Sequence, residues 1–344
     1  MATATVATRQ NGWDIKYHKQ VIGKGTTLPI LMYAMAKDGR LTSTNLDAWI
    51  TTDTDLADGL YQIVGKQWLP VKWAEVDEFP PVPTLKKVAT FDITLDPVAH
   101  KRALACASTD KTRYVLTGVL MEVVEDGIVW VATDGRRLTV FKQEQKVPAK
   151  AIGKYILPHG STGKPNGNLL NLLLKDKKHP VVRVTVTGEA MIVFDTLDQT
   201  ITAKLVDGTY PNYKRVIPND NPGLLRVDCG TMQAALKELK PFISDDSRAV
   251  KITIMAKHVR MYVTDPDRGI EHTVDVPCDH LRRVKDMQPL GLALPYLLDS
   301  TAYPDGPLYL GYNDNLSPMC FGNKVDGEQM VMTDLTVQMS MRLD

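Results

Sequence analysis

No apolar stretch of this sequence approaches the ~18–20 residues that a membrane-spanning helix requires. The first ten residues, Met1 to Gln10, are small and polar and lack the apolar block of a secretory signal; a loose tail is expected there. Cysteine is scarce: Cys106, Cys229, Cys278 and Cys320 are scattered, with no C-x-x-C pair. In 344 residues that argues against a disulfide framework and for reduced, buried thiols in a cytoplasm. An excess of charge is also missing, because 41 basic residues face 40 acidic ones. Composition alone therefore does not announce a nucleic-acid binder. Signatures of chemistry are absent as well. Gly23-Lys24-Gly25-Thr26-Thr27 lacks the G-x-x-x-x-G-K-[ST] spacing of a phosphate loop. Cys278-Asp279-His280 has no second ligand pair for a metal. The seven histidines are dispersed and none sits in a nucleophile signature. No catalytic residue, cofactor or metal is expected.

What the sequence does contain is a succession of strands. Val182, Val184 and Val186 alternate with polar residues, and Gly188-Glu189 turns the chain back through Met191 to Thr196. Such alternation about a turn predicts a hairpin with one buried face. The pattern recurs at Gly118 to Ala132 and at Val250 to Thr264, with further strands at Leu308 to Tyr312, Met319 to Phe321 and Met330 to Met341. Helices are few. Asp96 is placed as an N-cap with Pro97 at the first helical position, predicting a helix to Ser108. Others are expected at Asn168 to Lys175, Thr231 to Ile243 and Leu292 to Ala302. The order helix, strands, helix, strands occurs twice, a weak internal repeat of roughly 125 residues. Proline-rich connectors at Pro80-Pro81-Val82-Pro83 and around Pro218 to Pro222 suit boundaries. Three domains follow: 1–92, 93–220 and 221–344. They carry net charges of 0, +5 and −4, which allows a basic local surface on a near-neutral molecule.

Five segments in order then resemble one family. Thr27-Leu28-Pro29-Ile30-Leu31, Arg113 to Gly118, Val131 to Leu138, Asp207 to Pro218 and Met339-Ser340-Met341-Arg342-Leu343 are similar to motifs of the bacterial DNA polymerase III β subunit, the sliding clamp family. The resemblance implies an α+β fold of three clamp domains, with sheets outside and helices lining a central hole. It implies a non-catalytic processivity factor with no cofactor: a homodimeric ring closed head to tail around duplex DNA, loaded by an ATP-driven clamp loader, tethering a DNA polymerase. Two features depart from the pattern. The first domain is short, with strand-like stretches at Leu60 to Val64 and Val71 to Val76, no helix between Thr52 and Phe79, and only a poor amphipathic helix at Asp14 to Ile22, interrupted by Lys16, Tyr17, His18 and Lys19. Ser340 stands where the family prefers proline. They point to a divergent member of the kind a phage carries, acting in the host cytoplasm.

The same resemblance implies a cleft between domains 2 and 3 that takes peptides with a Gln-Leu-x-Leu-Phe-like core. Its matched residues are Arg113, Leu116, Thr133, Gly135, Arg137, Leu138, Pro211, Arg215, Val216, Met339, Met341 and Leu343, with Tyr296 and Leu316 as looser matches. Read without the resemblance, Leu116, Leu138 and Val216 are ordinary strand core and Asp134-Gly135 is a turn. Phosphate contacts are expected from Lys24, Lys101, Arg102, Lys111, Lys164, Lys175, Lys177, Lys178, Lys237 and Lys240, weak enough to permit sliding. Taken singly, each is equally a solvated lysine or arginine. Two edge strands are expected to close the dimer, one carrying Val71 and Trp73, the other Val250, Ile252 and Ile254.

Overall fold

Local signals place the helices. In the computed structural model, Asp96 Oδ1 accepts from the backbone N–H of Val98 at 2.8 Å and of Ala99 at 3.1 Å, satisfying donors that the first helical turn leaves open. Asp228 does the same for Thr231 at 2.7 Å. Five α-helices are found among the described residues: α1 Trp13–His18, α2 Pro97–Cys106, α3 Leu169–Leu173, α4 Cys229–Leu239 and α5 Leu294–Ser300. The described residues are 13–23, 27–72, 76–158, 169–174, 180–218, 220–243, 248–327, 329–331 and 333–343.

Each capped helix follows a strand, and the same succession comes twice. In the second region Lys87–Thr94 leads into α2, then Gly118–Val124, Gly127–Thr133, Arg137–Glu144 and Gly153–Pro158, then α3, then Val181–Thr187, Met191–Asp195 and Gln199–Lys204. In the third, Gly223–Asp228 leads into α4, then Ala249–Ile254, His258–Asp265, Ile270–Pro277 and Leu290–Ala293, then α5, then Pro307–Tyr312, Met319–Gly322 and Asp334–Gln338, with the short strands Asp279–Arg282, Val325–Asp326 and Gln329–Met330 added. The expected boundary at 92/93 falls inside the strand Lys87–Thr94. The first region keeps only the first half of this plan among the described residues. Helix α1 precedes Ala34–Lys37, Arg40–Thr44, Ala48–Asp53 and Gly59–Val64, and Gln67–Val71 is added at the edge.

Strand pairing joins the regions. One nine-stranded sheet runs from Gln67–Val71 to Lys87–Thr94, and its two parts meet where Ile50 faces Ile201. A second nine-stranded sheet joins the second and third regions where Leu138 faces Val337. The third region also has a four-stranded sheet ordered Ile270–Pro277, His258–Asp265, Ala249–Ile254, Leu290–Ala293. Side chains alternate inward, so Trp130, Phe194 and Leu120 are fully buried in the second region and Phe321 and Tyr312 in the third.

Three expectations about the first and third regions change. The strand expected at Val71 to Val76 ends at Val71; residues 76–78 form a short 3-10 turn, and Trp73 lies outside the described residues. Helix α1 buries two of the four residues that made it look interrupted, while Lys16 and Lys19 stay exposed. Tyr17 is 1% and His18 0% exposed, because Ser43 Oγ at 2.6 Å and Thr52 Oγ1 at 3.0 Å satisfy both imidazole nitrogens. Val250 and Ile252 are not on an edge. Their strand is paired on both sides, with His258–Asp265 and with Leu290–Ala293, and both side chains are fully buried. Ile254 is half-buried against the same core. One free edge of that sheet is Ile270–Pro277.

Candidate functional site

The turn Thr133 to Arg137 is a network of short-range bonds. Thr133 Oγ1 donates to Arg137 O at 2.6 Å and accepts from Gly135 N at 3.0 Å. Asp134 Oδ1 accepts from the backbone N–H of Arg136 at 2.9 Å and of Arg137 at 3.0 Å. Gly135 has φ +85°, so the backbone there calls for glycine. The turn aims Arg137 inward, where it is 9% exposed. Its guanidinium reaches Asp134 at 3.1 Å, Asp299 of α5 at 2.6 Å and the Ala105 carbonyl at the end of α2. It also lies 4.3 Å from the centre of the Tyr296 ring. One side chain therefore fixes α2, α5 and the turn together across the junction of the second and third regions. Burial pushes the nearby Cys106 thiol up to about 12, although Arg137 pulls the other way, so this cysteine is an inert packing group.

The C-terminal segment supplies the opposite wall. Beyond strand Asp334–Gln338, Met339 N donates to Arg136 O at 2.9 Å and Met341 N to Gly291 O at 2.8 Å. The segment thus crosses from one sheet to the edge of another. Ser340, in place of proline, spends its hydroxyl on Leu316 O at 2.7 Å. Around this segment the apolar side chains stay open: Leu316 is 68% exposed, and Val216, Met339, Met341 and Leu343 are between a third and a half exposed. The segment 210–216 is anchored by buried Tyr210 and by Tyr213, whose hydroxyl donates to Glu122 at 2.7 Å. That leaves Pro211, Arg215 and Val216 at the surface.

Three hollows result, two of which share Arg136 and Tyr296. One of about 410 Å³ is lined by Tyr296, Met339 and Met341, one of about 350 Å³ by Arg113, Arg137 and Tyr296, and one of about 250 Å³ by Arg215 and Val216. Leu138, 2% exposed, and half-buried Leu116 support this cleft from beneath. Asp134, Asp299, Arg136 and Arg248 were not foreseen. Asp134 could have been found within the turn motif, whereas Asp299 meets Arg137 from 162 positions away and leaves no local signal. A larger hollow, about 910 Å³, lies in the third region between Arg226 and His280. Arg226 there pairs with Asp279 at 2.7 Å and His280 bonds Met255 O at 2.8 Å, and the hollow lies away from the turn and the C-terminal segment.

The basic residues divide. Lys101, Lys111, Lys237 and Lys240 are exposed. Arg102 is not available to a phosphate: it is 3% exposed, paired with Asp334 at 2.8 Å and laid 3.8 Å over the Tyr303 ring. It points between regions because it shares the buried stripe of α2 with Ala99, Ala103 and Cys106. Lys24, Lys164, Lys175, Lys177 and Lys178 lie outside the described residues. Val71 ends the edge strand of the first region and is half-buried.

Comparison with known proteins bears on the fold. The family model of the DNA polymerase III beta subunit, central domain, matches residues 95–212. The Beta sliding clamp of Caulobacter vibrioides is 27% identical over 238 residues, and that of Synechococcus elongatus 24% over 200. Residues 95–212 thus match the central domain of the DNA polymerase III beta subunit, and the chain is similar to sliding clamps over a larger part of its length. These two alignments cover 67% and 58% of the chain but 60% and 52% of the relatives' length. The fold likeness extends further. A Pseudomonas aeruginosa sliding clamp superposes with a TM-score of 0.79 at 20% identity over 96% of both chains, and the Bacillus subtilis clamp with 0.79 at 18% over 97% of both. A Bartonella birtlesii clamp of the same fold, TM-score 0.75, was crystallised bound to griselimycin.

Proposed function

We propose that this protein is a replicative sliding clamp that holds its partners by apolar peptides laid in the cleft between its second and third regions. The observation that carries this reading is the Arg137 junction, which stiffens the floor while Val216, Leu316, Met339 and Met341 remain open above it. Thioethers and leucines make adaptable walls for several partners. The principal partner is a DNA polymerase, which the clamp keeps at high effective concentration on its template. Three clamp units make up the chain, the first reduced to half. A second copy closes the ring head to tail, the free edge Gln67–Val71 of one protomer meeting Ile270–Pro277 of the other. Duplex DNA passes through the ring, touched weakly by Lys101, Lys111, Lys237 and Lys240, and an ATP-driven loader places it there. The protein works in the cytoplasm and catalyses nothing itself. Titration of a labelled peptide with a Gln-Leu-x-Leu-Phe core tests the cleft. Saturable micromolar binding is expected, and no binding would end the proposal.

A second reading has one observation in its favour. Pro70 lies in the edge strand Gln67–Val71, and a proline takes a backbone donor away from a sheet edge. In that reading the chain keeps the peptide cleft without encircling DNA. Light scattering separates the two, because a protein monomeric at every concentration cannot form the ring unaided.

A further inference from the structure

The charges around the cleft do not cancel. Three acidic side chains line the three hollows, Asp110, Asp134 and Asp220, and each already has an arginine. Asp110 pairs with Arg113 at 3.4 Å, Asp134 with Arg137 at 3.1 Å and Asp220 with Arg282 at 3.5 Å. Asp110 is also held below the usual carboxylate range by Thr112, first through its hydroxyl and then through its backbone N–H, so it stays ionised and occupied. Asp299, which reaches the same junction from α5, is taken by Arg137.

Two arginines at the rim have no such partner among the described residues. Arg136 stands between two of the hollows, its backbone pinned by Met339 and its side chain exposed without an ion pair. Arg215 stands over the third, beside exposed Val216, likewise exposed and without an ion pair. The cleft thus presents open apolar walls with the guanidiniums of Arg136 and Arg215 free of ion pairs along its rim, while the carboxylate of Asp314 is held on the backbone N–H groups of Leu316 and Ser317. A guanidinium in such a place offers a fork of donors to a carboxylate.

We propose that the cleft selects peptides whose apolar anchors are flanked by aspartate or glutamate, with Arg136 and Arg215 reading those flanks. The inference rests on the peptide-cleft reading and adds the charge of its partner. Rim charges of this kind discriminate among partners and speed encounter more than they add affinity. Apolar anchors therefore set whether a peptide binds, and flanking acids set which one binds first.

Two fluorescent probes test it, sharing the core Gln-Leu-Asn-Leu-Phe and flanked on each side by two aspartates in one and two asparagines in the other. On the wild-type chain the acidic probe should bind roughly fivefold more tightly at low ionic strength, with the gap closing as salt is added. Arg136→Glu combined with Arg215→Glu should reverse the order. Equal wild-type affinities for the two probes would overturn the charge inference and leave the cleft standing. Failure of both probes to bind would overturn the cleft itself. Displacement of both probes by a short oligothymidylate, lost in the Arg136→Glu variant, would overturn the inference in favour of single-stranded nucleic acid.

Discussion

The first and second regions follow the same plan to different extents. The second builds both halves of a clamp unit around a core that includes Trp130, Phe141, Phe194 and the leucines of α3. The first builds one half. Its own clusters are small, Ala34, Ala36, Leu41 and Tyr61 on one side and Tyr33, Leu60 and Phe79 on the other. Tyr17, Val21, Ala48 and Ile50 join the second region's core instead. A unit with so little apolar surface of its own is stabilised by its neighbour, through shared core and through the pairing of Ala48–Asp53 with Gln199–Lys204. The difference teaches that apolar core is concentrated in the second and third regions, which also carry the proposed cleft, while the first offers the edge strand on which the proposed ring closure would depend.

The largest effect of a single substitution should come from breaking the junction between the stronger regions. Arg102→Ala leaves Asp334 with only the more distant Lys324, at 3.7 Å, and uncovers Tyr303, which should cost about 2 kcal/mol of unfolding free energy. Lys101→Ala, one residue away and exposed, should cost less than ~0.5 kcal/mol. Urea denaturation of the two variants measures the contrast. Equal losses would mean that Arg102 is a surface residue after all.

Acid should separate the first region from the second. Burial holds His18 down to about 3 and His100 down to about 4, both from an ordinary 6.5. The folded chain keeps them neutral, while the unfolded chain takes up protons below pH 6.5. The stabilisation is therefore fully present above pH 6.5 and is lost as pH falls toward the folded values. For His100 the loss amounts to roughly 3 kcal/mol by pH 4. The first region has less core to absorb it, so amide exchange in 34–53 should accelerate before exchange in 118–133. Simultaneous acceleration would show that the two regions unfold as one unit.

Deleting 341–344 tests the cleft wall. It removes the bond from Met341 to Gly291 and the packing of Leu343, and should weaken binding of the core peptide by ~2 kcal/mol while leaving the urea midpoint nearly unchanged. Unchanged affinity would remove the C-terminal segment from the site. The smallest effect is expected at the open edge of the first region. Pro70→Thr restores one backbone donor and should tighten the dimer by a few fold, within the ~1 kcal/mol of a single hydrogen bond. Sedimentation equilibrium measures it, and weaker association in the variant would exclude this edge from the interface.

Much of this was legible in the sequence because it is local. Asp96-Pro97 marks the start of α2, alternating valines mark Val181–Thr187, and the Thr133 to Arg137 turn is written in its own residues. Properties set by distant partners were not legible. The alternation of Val250, Ile252 and Ile254 is the same whether a strand is central or at an edge; only its pairing with Leu290–Ala293 makes it central. For that reason Ile252→Asp would disrupt the core and says little about dimerisation. Arg102 was misread by charge although its spacing from Ala99 and Cys106 already put it on the buried stripe. His18 reads as a break in an apolar face until Ser43 and Thr52 are brought to it by folding.

The most direct test of the central claim is retention on DNA. Incubated with an ATP-driven clamp loader and a nicked circular plasmid, the protein should stay bound through gel filtration in high salt and be lost when the plasmid is cut once, because the proposed ring would slide off free ends whereas a phosphate-contact binder does not distinguish the two forms. Equal retention on circular and linear DNA, or none on either with a functioning loader, would contradict the account.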